Sequence, residues 1–169
     1  PEQVRLLEVD AGHDVNAHLP LIWAETERFL AAIADFKQIR CFEQPVRSED
    51  WLGLRRVRDK SPYPLAIDEG SFSSFDVARA AVLDVADLVV LKVPKSGGVT
   101  NCYKSAVVSE AHGLGLLGSG LTDAGISLIA AIHLYSTLDL LLPPELNGPQ
   151  FLADLYGGVK MDGVTVTVP

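Results

Sequence analysis

Short apolar runs alternate with longer stretches of helical spacing along most of the chain. The runs are rich in Val, Ile and Leu, and six of them predict strands: Val4–Val9, Ile39–Phe42, Leu65–Ile67, Leu88–Leu91, Leu114–Leu117 and Leu138–Leu142. The stretches between them predict five helices: Leu21–Phe36, Ser48–Asp59, Ser73–Leu83, Thr100–His112 and Gly125–Thr137. Regular alternation of strands and helices is typical of an α/β fold with a parallel sheet.

The end of the chain follows a different pattern. Glycine-containing pairs at Gly157-Gly158 and Asp162-Gly163 predict turns. Val164–Val168 predicts a final strand, which we expect to form a hairpin with Leu155–Lys160.

Two architectures fit the alternating pattern. The strands recur at roughly 25-residue intervals, which suits either a (β/α)₈ barrel or an open doubly wound sheet. No G-x-G-x-x-G follows a strand, which weakens the dinucleotide-binding form of the open sheet. Because six units do not close an eight-stranded barrel, the barrel requires two further units, and we expect them upstream of Pro1.

Composition narrows the function classes. The 169 residues are 48% apolar, which indicates one globular unit with a substantial core. The formal charge of −8 argues against nucleic acid or an anionic membrane as the partner. The apolar stretch Leu114–Leu142 is interrupted by glycine and charged residues, so it does not predict a membrane span. With only two cysteines, a reducing cytoplasmic setting is the expectation.

Ionisable residues directly follow four of the predicted strands. They are Asp10, Glu43, Asp68 and Lys92. In a barrel the carboxyl ends of the strands converge on one mouth, so these side chains could share one space. Three carboxylates there would repel unless a cation lay between them, and oxygen ligands favour Mg²⁺ or Mn²⁺. Lys92, near that metal in a dry cavity, would have a lowered pKa and could act as a general base; alternatively, each residue merely caps a strand or pairs locally.

The residues around these positions form four motifs in order. They are Val9-Asp10-Ala11, Phe42-Glu43-Gln44-Pro45, Ala66-Ile67-Asp68-Glu69, and Leu91-Lys92 followed by Lys95 and Gly97-Gly98. From about Val4 to its end the chain resembles the barrel domain of the enolase superfamily, most of all the muconate cycloisomerase (muconate-lactonizing) subgroup. The resemblance implies that residues 1–169 form an incomplete (β/α) TIM-type barrel carrying about strands three to eight. It also implies that the N-terminal capping domain and the first barrel strands are not in this sequence.

The resemblance assigns roles to individual residues. It implies that Asp10, Glu43 and Asp68 bind the metal and that Lys92 is the acid/base. The segment Pro144–Pro149 resembles the end of the eighth barrel strand, which makes Glu145 a further catalytic candidate, although it could simply cap a turn. Lys95, beside two glycines at a helix start, could contact a substrate carboxylate or belong to a plain tight turn.

The chain also departs from the family pattern. Gly12 replaces the usual Asn after Asp-Ala, and the interval from Asp10 to Glu43 is longer than usual. At the seventh strand, Leu121-Thr122-Asp123-Ala124 replaces the more common pattern containing Glu-Ser. Asp123 is a further catalytic candidate at the mouth, although its side chain is shorter than that of Glu. The Lys-x-Lys of the family's second strand has no counterpart here, so the opposite-face acid/base is not in this sequence.

The expected activity follows from the resemblance. It implies a divalent-metal-dependent isomerase that moves a proton alpha to a carboxylate through a metal-stabilised enediolate, as a cycloisomerase of the muconate type does. Amino-acid or dipeptide racemisation or epimerisation, and acid dehydration, remain alternatives within the superfamily. A metal-binding fragment without turnover is the non-enzymatic alternative. The expected partners are a small carboxylate substrate and, in a homo-oligomer, further copies of the chain.

Overall fold

A computed structural model describes residues 19–151, 159–163 and 165–167 of the chain. The predicted strand Val4–Val9 and the candidate ligand Asp10 lie outside these described residues. The helices are α1 (Leu19–Ile33), α2 (Trp51–Lys60), α3 (Ser74–Leu83), α4 (Val99–Ala111), α5 (Gly125–Tyr135) and α6 (Gly148–Phe151). The strands are β1 (Phe42–Glu43), β2 (Leu65–Ile67), β3 (Leu88–Leu91), β4 (Gly115–Gly118), β5 (Lys160–Asp162) and β6 (Thr165–Thr167).

The first four strands form one parallel sheet in the order in which they occur in the chain. Each neighbouring pair is parallel and is connected through a helix, α2, α3 or α4. An open doubly wound sheet instead reverses its strand order at a switch point. The sequential order therefore supports the predicted incomplete barrel rather than the open sheet.

The predicted strand Leu138–Leu142 is reduced to a single parallel bridge between Leu140 and Leu116. The amide of Leu141 donates to the carbonyl of Leu116 at 2.9 Å, so this segment continues the sheet beside β4. Pro143 and Pro144 carry no amide hydrogen, so the next amide donated to β4 is that of Glu145. Pairing within the predicted strand is confined to Leu140 and Leu141, so the predicted bounds were too wide.

Both faces of the central strands are covered. The larger core cluster packs α2, α3, α4 and α5 against the sheet and includes Ile67, Val89 and Leu91. Ala66 and Val90 belong to a second, smaller cluster. Because successive strand residues point to opposite faces, the two clusters occupy the two sides of the sheet. The apolar runs that predicted strands are continuous for this reason, and every residue of β2 and β3 is buried.

A charged contact holds the amino ends of β2 and β3 together. Asp87 accepts hydrogen bonds from the amide of Leu65 at 2.8 Å and from the guanidinium of Arg58 at 2.8 and 3.0 Å. Arg58 belongs to α2, so this contact also fixes the helix against the two strands that follow it. The opposite, carboxyl ends of the strands are left for the candidate site.

A terminal hairpin is present as predicted, but its first strand is shifted, because β5 begins at Lys160, the last residue of the predicted strand, and continues to Asp162. β5 and β6 pair antiparallel, and Gly163 in the turn has a φ of +58°. The segment 155–158, predicted as part of the first strand, lies outside the described residues. None of the helices in the described part of the chain is long and apolar enough to cross a membrane.

Candidate metal and acid–base site

Three of the predicted site residues lie at the carboxyl ends of three consecutive parallel strands. Glu43 is the last residue of β1, Asp68 follows β2 directly, and Lys92 follows β3 directly. Since β1 pairs with β2 and β2 with β3, all three side chains emerge at one edge of the sheet. The predicted convergence of these positions is therefore observed for every member that the structure describes.

The centre of the site is the buried carboxylate of Asp68, which is 1% exposed. Its Oδ2 accepts a hydrogen bond from Nζ of Lys92 at 2.5 Å, and its Oδ1 accepts one from Nζ of Lys95 at 2.7 Å. Lys95 also donates to the backbone carbonyls of Asp68 at 2.8 Å and Val90 at 2.9 Å. All three hydrogens of the Lys95 ammonium are thus used within the protein, which leaves none for a substrate carboxylate. The alternative expectation, a tight turn, is observed at residues 93–97.

The two lysines set the charge state of Asp68. Burial alone would raise the pKa of Asp68, but the hydrogen bonds and charges of Lys92 and Lys95 outweigh it and hold this pKa below its usual value. Burial lowers the pKa of Lys95, and the charge of Asp68 only partly offsets this effect. Asp68 is therefore ionised at neutral pH and available as an oxygen ligand.

The lowered pKa expected for Lys92 presupposes a bound metal and stays a prediction, and the protein's own charged groups shift this pKa the other way. Burial does lower it, but the hydrogen bond and charge of Asp68, together with the charge of Glu43, outweigh burial and raise the Lys92 pKa above its usual value. The direct pairing of Lys92 with Asp68, a candidate ligand 24 positions earlier in the chain, cannot be read from the sequence. Lys92 consequently holds its proton at neutral pH in this arrangement.

The pKa of Glu43 depends on the charged groups that surround its carboxylate. Partial burial raises the pKa of Glu43, and so does the negative charge of Asp68, whereas the charge of Lys92 lowers it. The charge of Glu145 raises the pKa of Glu43 further. Glu43, Asp68, Lys92 and Glu145 therefore form one electrostatically coupled group at the strand ends.

The described residues supply part of a site for a divalent metal ion. The carboxylates of Glu43 and Asp68 are adjacent oxygen donors whose mutual repulsion a cation would relieve, and oxygen donors suit Mg²⁺ or Mn²⁺. Within the described ranges no group of three Asp, Glu, His or Cys residues is placed to hold a metal. The third predicted ligand, Asp10, falls outside those ranges. The carboxylates of Glu43 and Asp68 therefore fit the predicted Mg²⁺ or Mn²⁺ ion.

Glu145 is placed at the same end of the sheet by the chain segment beside β4. Its amide donates to the carbonyl of Gly118 at 2.9 Å, which continues the pairing past the two prolines. Its carboxylate accepts a long hydrogen bond of 3.4 Å from the hydroxyl of Ser119. The side chain is exposed, so it could reach a ligand in the mouth. Its catalytic role stays a prediction.

Asp123 makes its contacts within its own turn. The carboxylate accepts from the hydroxyl of Ser127 at 3.1 Å and from the amide of Leu121 at 3.3 Å, and the residue is buried. A Cβ on Gly148 would lie 2.1 Å from the backbone oxygen of Asp123, so the chain can pass here only with glycine. These contacts stabilise the start of α5. A direct catalytic role for Asp123 stays a prediction.

Tyr135 was missed by the sequence reasoning. Its buried hydroxyl lies 2.6 Å from the carbonyl of Leu91 and 2.8 Å from the carbonyl of Ser119. One side chain from α5 thus ties together the ends of β3 and β4, directly beside Lys92. A tyrosine in an apolar helical stretch gives no sequence signal for such a contact.

Comparison with known proteins identifies the family. The enolase C-terminal domain-like family model matches residues 5–167. The L-Ala-D/L-Glu epimerase of Clostridium acetobutylicum is 29% identical over 133 residues, which cover 78% of this chain and 37% of the epimerase. The chloromuconate cycloisomerase of Cupriavidus pinatubonensis is 38% identical over 120 residues, which cover 69% of this chain and 32% of the cycloisomerase.

The fold comparison agrees. The structure of muconate lactonizing enzyme from Pseudomonas putida matches with a TM-score of 0.79 at 27% identity, covering 86% of this chain and 41% of the enzyme. The chain spans less than half the length of these relatives. The sequence-based resemblance and the incomplete barrel are both confirmed. The chain belongs to the enolase C-terminal domain-like family, with relatives in the muconate-lactonizing subgroup.

Proposed function

We propose that the protein carrying this chain is a divalent-metal-dependent isomerase that moves a proton alpha to the carboxylate of a small substrate, in the manner of a muconate cycloisomerase. The observation that carries the proposal is the pairing of Lys92 with Asp68 beside Glu43, at the ends of three consecutive strands. An acid/base next to oxygen ligands is the arrangement that such a proton transfer requires.

Glu43 and Asp68, together with Asp10, would hold Mg²⁺ or Mn²⁺. When bound, this ion supplies positive charge against the negative charge that develops on a deprotonated carboxylate substrate. Lys95 keeps Asp68 ionised and fixes Oδ1 of its carboxylate. The chain's own contribution is therefore an ionised carboxylate whose Oδ1 is fixed by Lys95, while its Oδ2 becomes available to the ion when Lys92 moves aside.

Lys92 would move the proton at its Nζ atom. While it is paired with Asp68, Lys92 holds its proton, which suits delivery of a proton to the substrate. Removal of a proton requires the neutral amine, and hence a weaker hold by Asp68. Lys92 is 9% exposed, so bulk water has little access to the transferred proton.

Epimerisation is the second candidate reaction. Relatives at 28–30% identity include L-Ala-D/L-Glu epimerases, an aromatic dipeptide epimerase and an N-succinyl-L-Arg/Lys racemase. Epimerisation needs a second acid/base on the opposite face of the substrate, while lactone formation or opening can use Lys92 alone. Exchange in dipeptides or N-succinyl amino acids would favour epimerisation, and exchange in muconates or lactones would favour cycloisomerisation.

The test is exchange of substrate protons with solvent in D₂O. The protein is incubated with Mg²⁺ and a panel of muconates, lactones, dipeptides and N-succinyl amino acids, and exchange is followed by NMR. We expect exchange that requires the metal and disappears in Lys92→Ala, while Lys104→Ala, on the exposed surface of α4, serves as the matched control. Exchange that survives in Lys92→Ala would remove the assigned acid/base. Metal binding without exchange of any substrate would instead favour a metal-binding module.

A further inference from the structure

Gln44 connects the ends of β1 and β2. It directly follows Glu43, and its amide donates to the carbonyl of Ala66 at 2.9 Å. Its side-chain Oε1 accepts from the amide of Asp68 at 2.9 Å and from the amide of Gly70 at 3.1 Å. Three hydrogen bonds thus join the residue after one candidate ligand to the backbone that carries the other.

The amide group of Gln44 matches these partners at both ends. While Oε1 accepts two hydrogen bonds, Nε2 donates to the carbonyl of Val46 at 3.1 Å. A carboxylate could not make that donation and would add a further negative charge beside Glu43 and Asp68. An apolar side chain of the same length could not accept a hydrogen bond from either backbone amide.

The backbone of Gln44 is held in an unusual conformation. Its φ is +35°, a value that residues with a side chain rarely adopt. Such a conformation persists only where the surroundings determine it, and here the side-chain bonds to the β2 loop do so. Gly70 allows the close approach, because a Cβ there would lie 3.3 Å from Oε1 of Gln44.

We propose that Gln44 is a positioning residue that fixes the backbone of Asp68 relative to Glu43, so that both carboxylates can bind one divalent ion. This inference rests on the proposed function, since it assumes that the site binds a metal. It assigns to Gln44 a task different from that of Lys95, since Gln44 holds the amide of Asp68 and Lys95 holds its carboxylate and its carbonyl oxygen.

Mn²⁺ affinity tests the inference without an assay of activity. Free Mn²⁺ is titrated by electron paramagnetic resonance against the wild-type protein, Gln44→Met and Gln44→Gly. Methionine keeps the length and removes the polar atoms, and glycine removes the side chain while relieving the positive φ. Gln38→Met is the matched control, because Gln38 is exposed and precedes β1, on the amino side of the strand.

We expect about 10- to 100-fold weaker Mn²⁺ binding in both Gln44 variants, the usual effect of losing a partner that orients a metal ligand. Gln38→Met should bind like the wild type. Gln44→Gly relieves the strained backbone but lacks the side-chain hydrogen bonds. If this variant bound Mn²⁺ with wild-type affinity, Gln44 would have only a structural role, and the inference would be overturned. Wild-type affinity in both variants would overturn it too, with the proposed function intact.

Two further results keep the outcomes distinguishable. If the wild-type protein itself binds no Mn²⁺, the proposed function fails and the inference fails with it. Amide hydrogen exchange in the metal-free wild type checks the contact directly and does not depend on the variants folding. The amides of Asp68 and Gly70 should be protected, and rapid exchange of both would overturn the inference.

Discussion

The ammonium of Lys92 lies 2.5 Å from Oδ2 of Asp68, on the opposite oxygen from the ammonium of Lys95, 2.7 Å from Oδ1. Each oxygen of one buried carboxylate therefore has its own lysine. Lys95 uses its other hydrogens on backbone carbonyls, whereas Asp68 is the only hydrogen-bond partner of the Lys92 side chain among the described residues. Lys92 is thus the lysine of the pair that can turn toward a substrate at low cost.

Replacing Lys92 by methionine should separate metal binding from proton transfer. The change removes the cation that competes for Oδ2 of Asp68, so Mn²⁺ affinity should stay the same or increase. Proton exchange into substrate should fall to the uncatalysed background. Titration calorimetry and NMR exchange measure the two effects. Markedly weaker Mn²⁺ binding in Lys92→Met would contradict the account.

Replacing Lys95 by methionine should mainly lower stability. The variant removes the Lys95 donor from the carbonyl of Val90 and from Oδ1 of the buried Asp68 carboxylate, and the loss of a buried partner costs roughly 1–3 kcal/mol. The carbonyl of Asp68 keeps the amide of Ser71 as a donor at 2.9 Å. The Lys95 side chain is only 5% exposed, so water cannot readily replace it. Urea unfolding of Lys95→Met and Lys92→Met compares the two directly. The account expects the larger loss of unfolding free energy in Lys95→Met, and equal losses would count against it.

The stability contributed by Asp68 should depend on pH. Its folded pKa is lowered, so its stabilisation is complete above the unfolded value near 3.8 and is lost as the pH falls through the folded pKa. Asp68→Asn should cost roughly 3–5 kcal/mol at neutral pH, because it leaves a buried pair broken. The difference from wild type should narrow below about pH 4, where Asp68 takes up a proton. Unfolding measured across this range checks the prediction, and a difference independent of pH would refute it.

The hydroxyl of Tyr135 should contribute to stability through its two carbonyl partners. The single hydroxyl hydrogen is shared between the two carbonyls, and that of Leu91 keeps the amide of Ser119 as a donor at 2.9 Å. Tyr135→Phe removes the hydroxyl donor from the Ser119 carbonyl in a buried position, at a cost of roughly 1–3 kcal/mol. Tyr103 is 51% exposed, so Tyr103→Phe is the matched control and should be nearly neutral. Chemical denaturation of both variants gives the comparison. Equal stability of the two variants would show that the Tyr135 contact contributes nothing measurable.

The central strands could be predicted from the sequence because both their faces are buried. Leu65–Ile67 and Leu88–Leu91 coincide with β2 and β3, since a continuous apolar run of this length has few alternatives. The bounds of other helices and strands were harder to predict, because an end can depend on one hydrogen bond. The helix predicted from Ser48 begins at Trp51, because the Asp50 side chain accepts from the amide of Gly53 and caps it there.

The sequence predicts where the residues of the site lie but not the hydrogen bonds and ion pairs that connect them. Glu43, Asp68 and Lys92 could be located because each follows an apolar run in a parallel fold. The raised pKa of Lys92 could not, because it depends on an ion pair across 24 residues of sequence. Gln44 follows Glu43 in one of the four sequence motifs. Its hydrogen bonds to the loop after β2 depend on the register between β1 and β2, which the spacing of residues in the sequence does not determine.

The most direct test of the central claim is anomalous diffraction from crystals of the protein soaked in Mn²⁺. The account predicts a peak within bonding distance of carboxylate oxygens from both Glu43 and Asp68, with Lys92 displaced from Oδ2 and Lys95 unmoved. Density elsewhere, or none at all while both lysines retain Asp68, would contradict it.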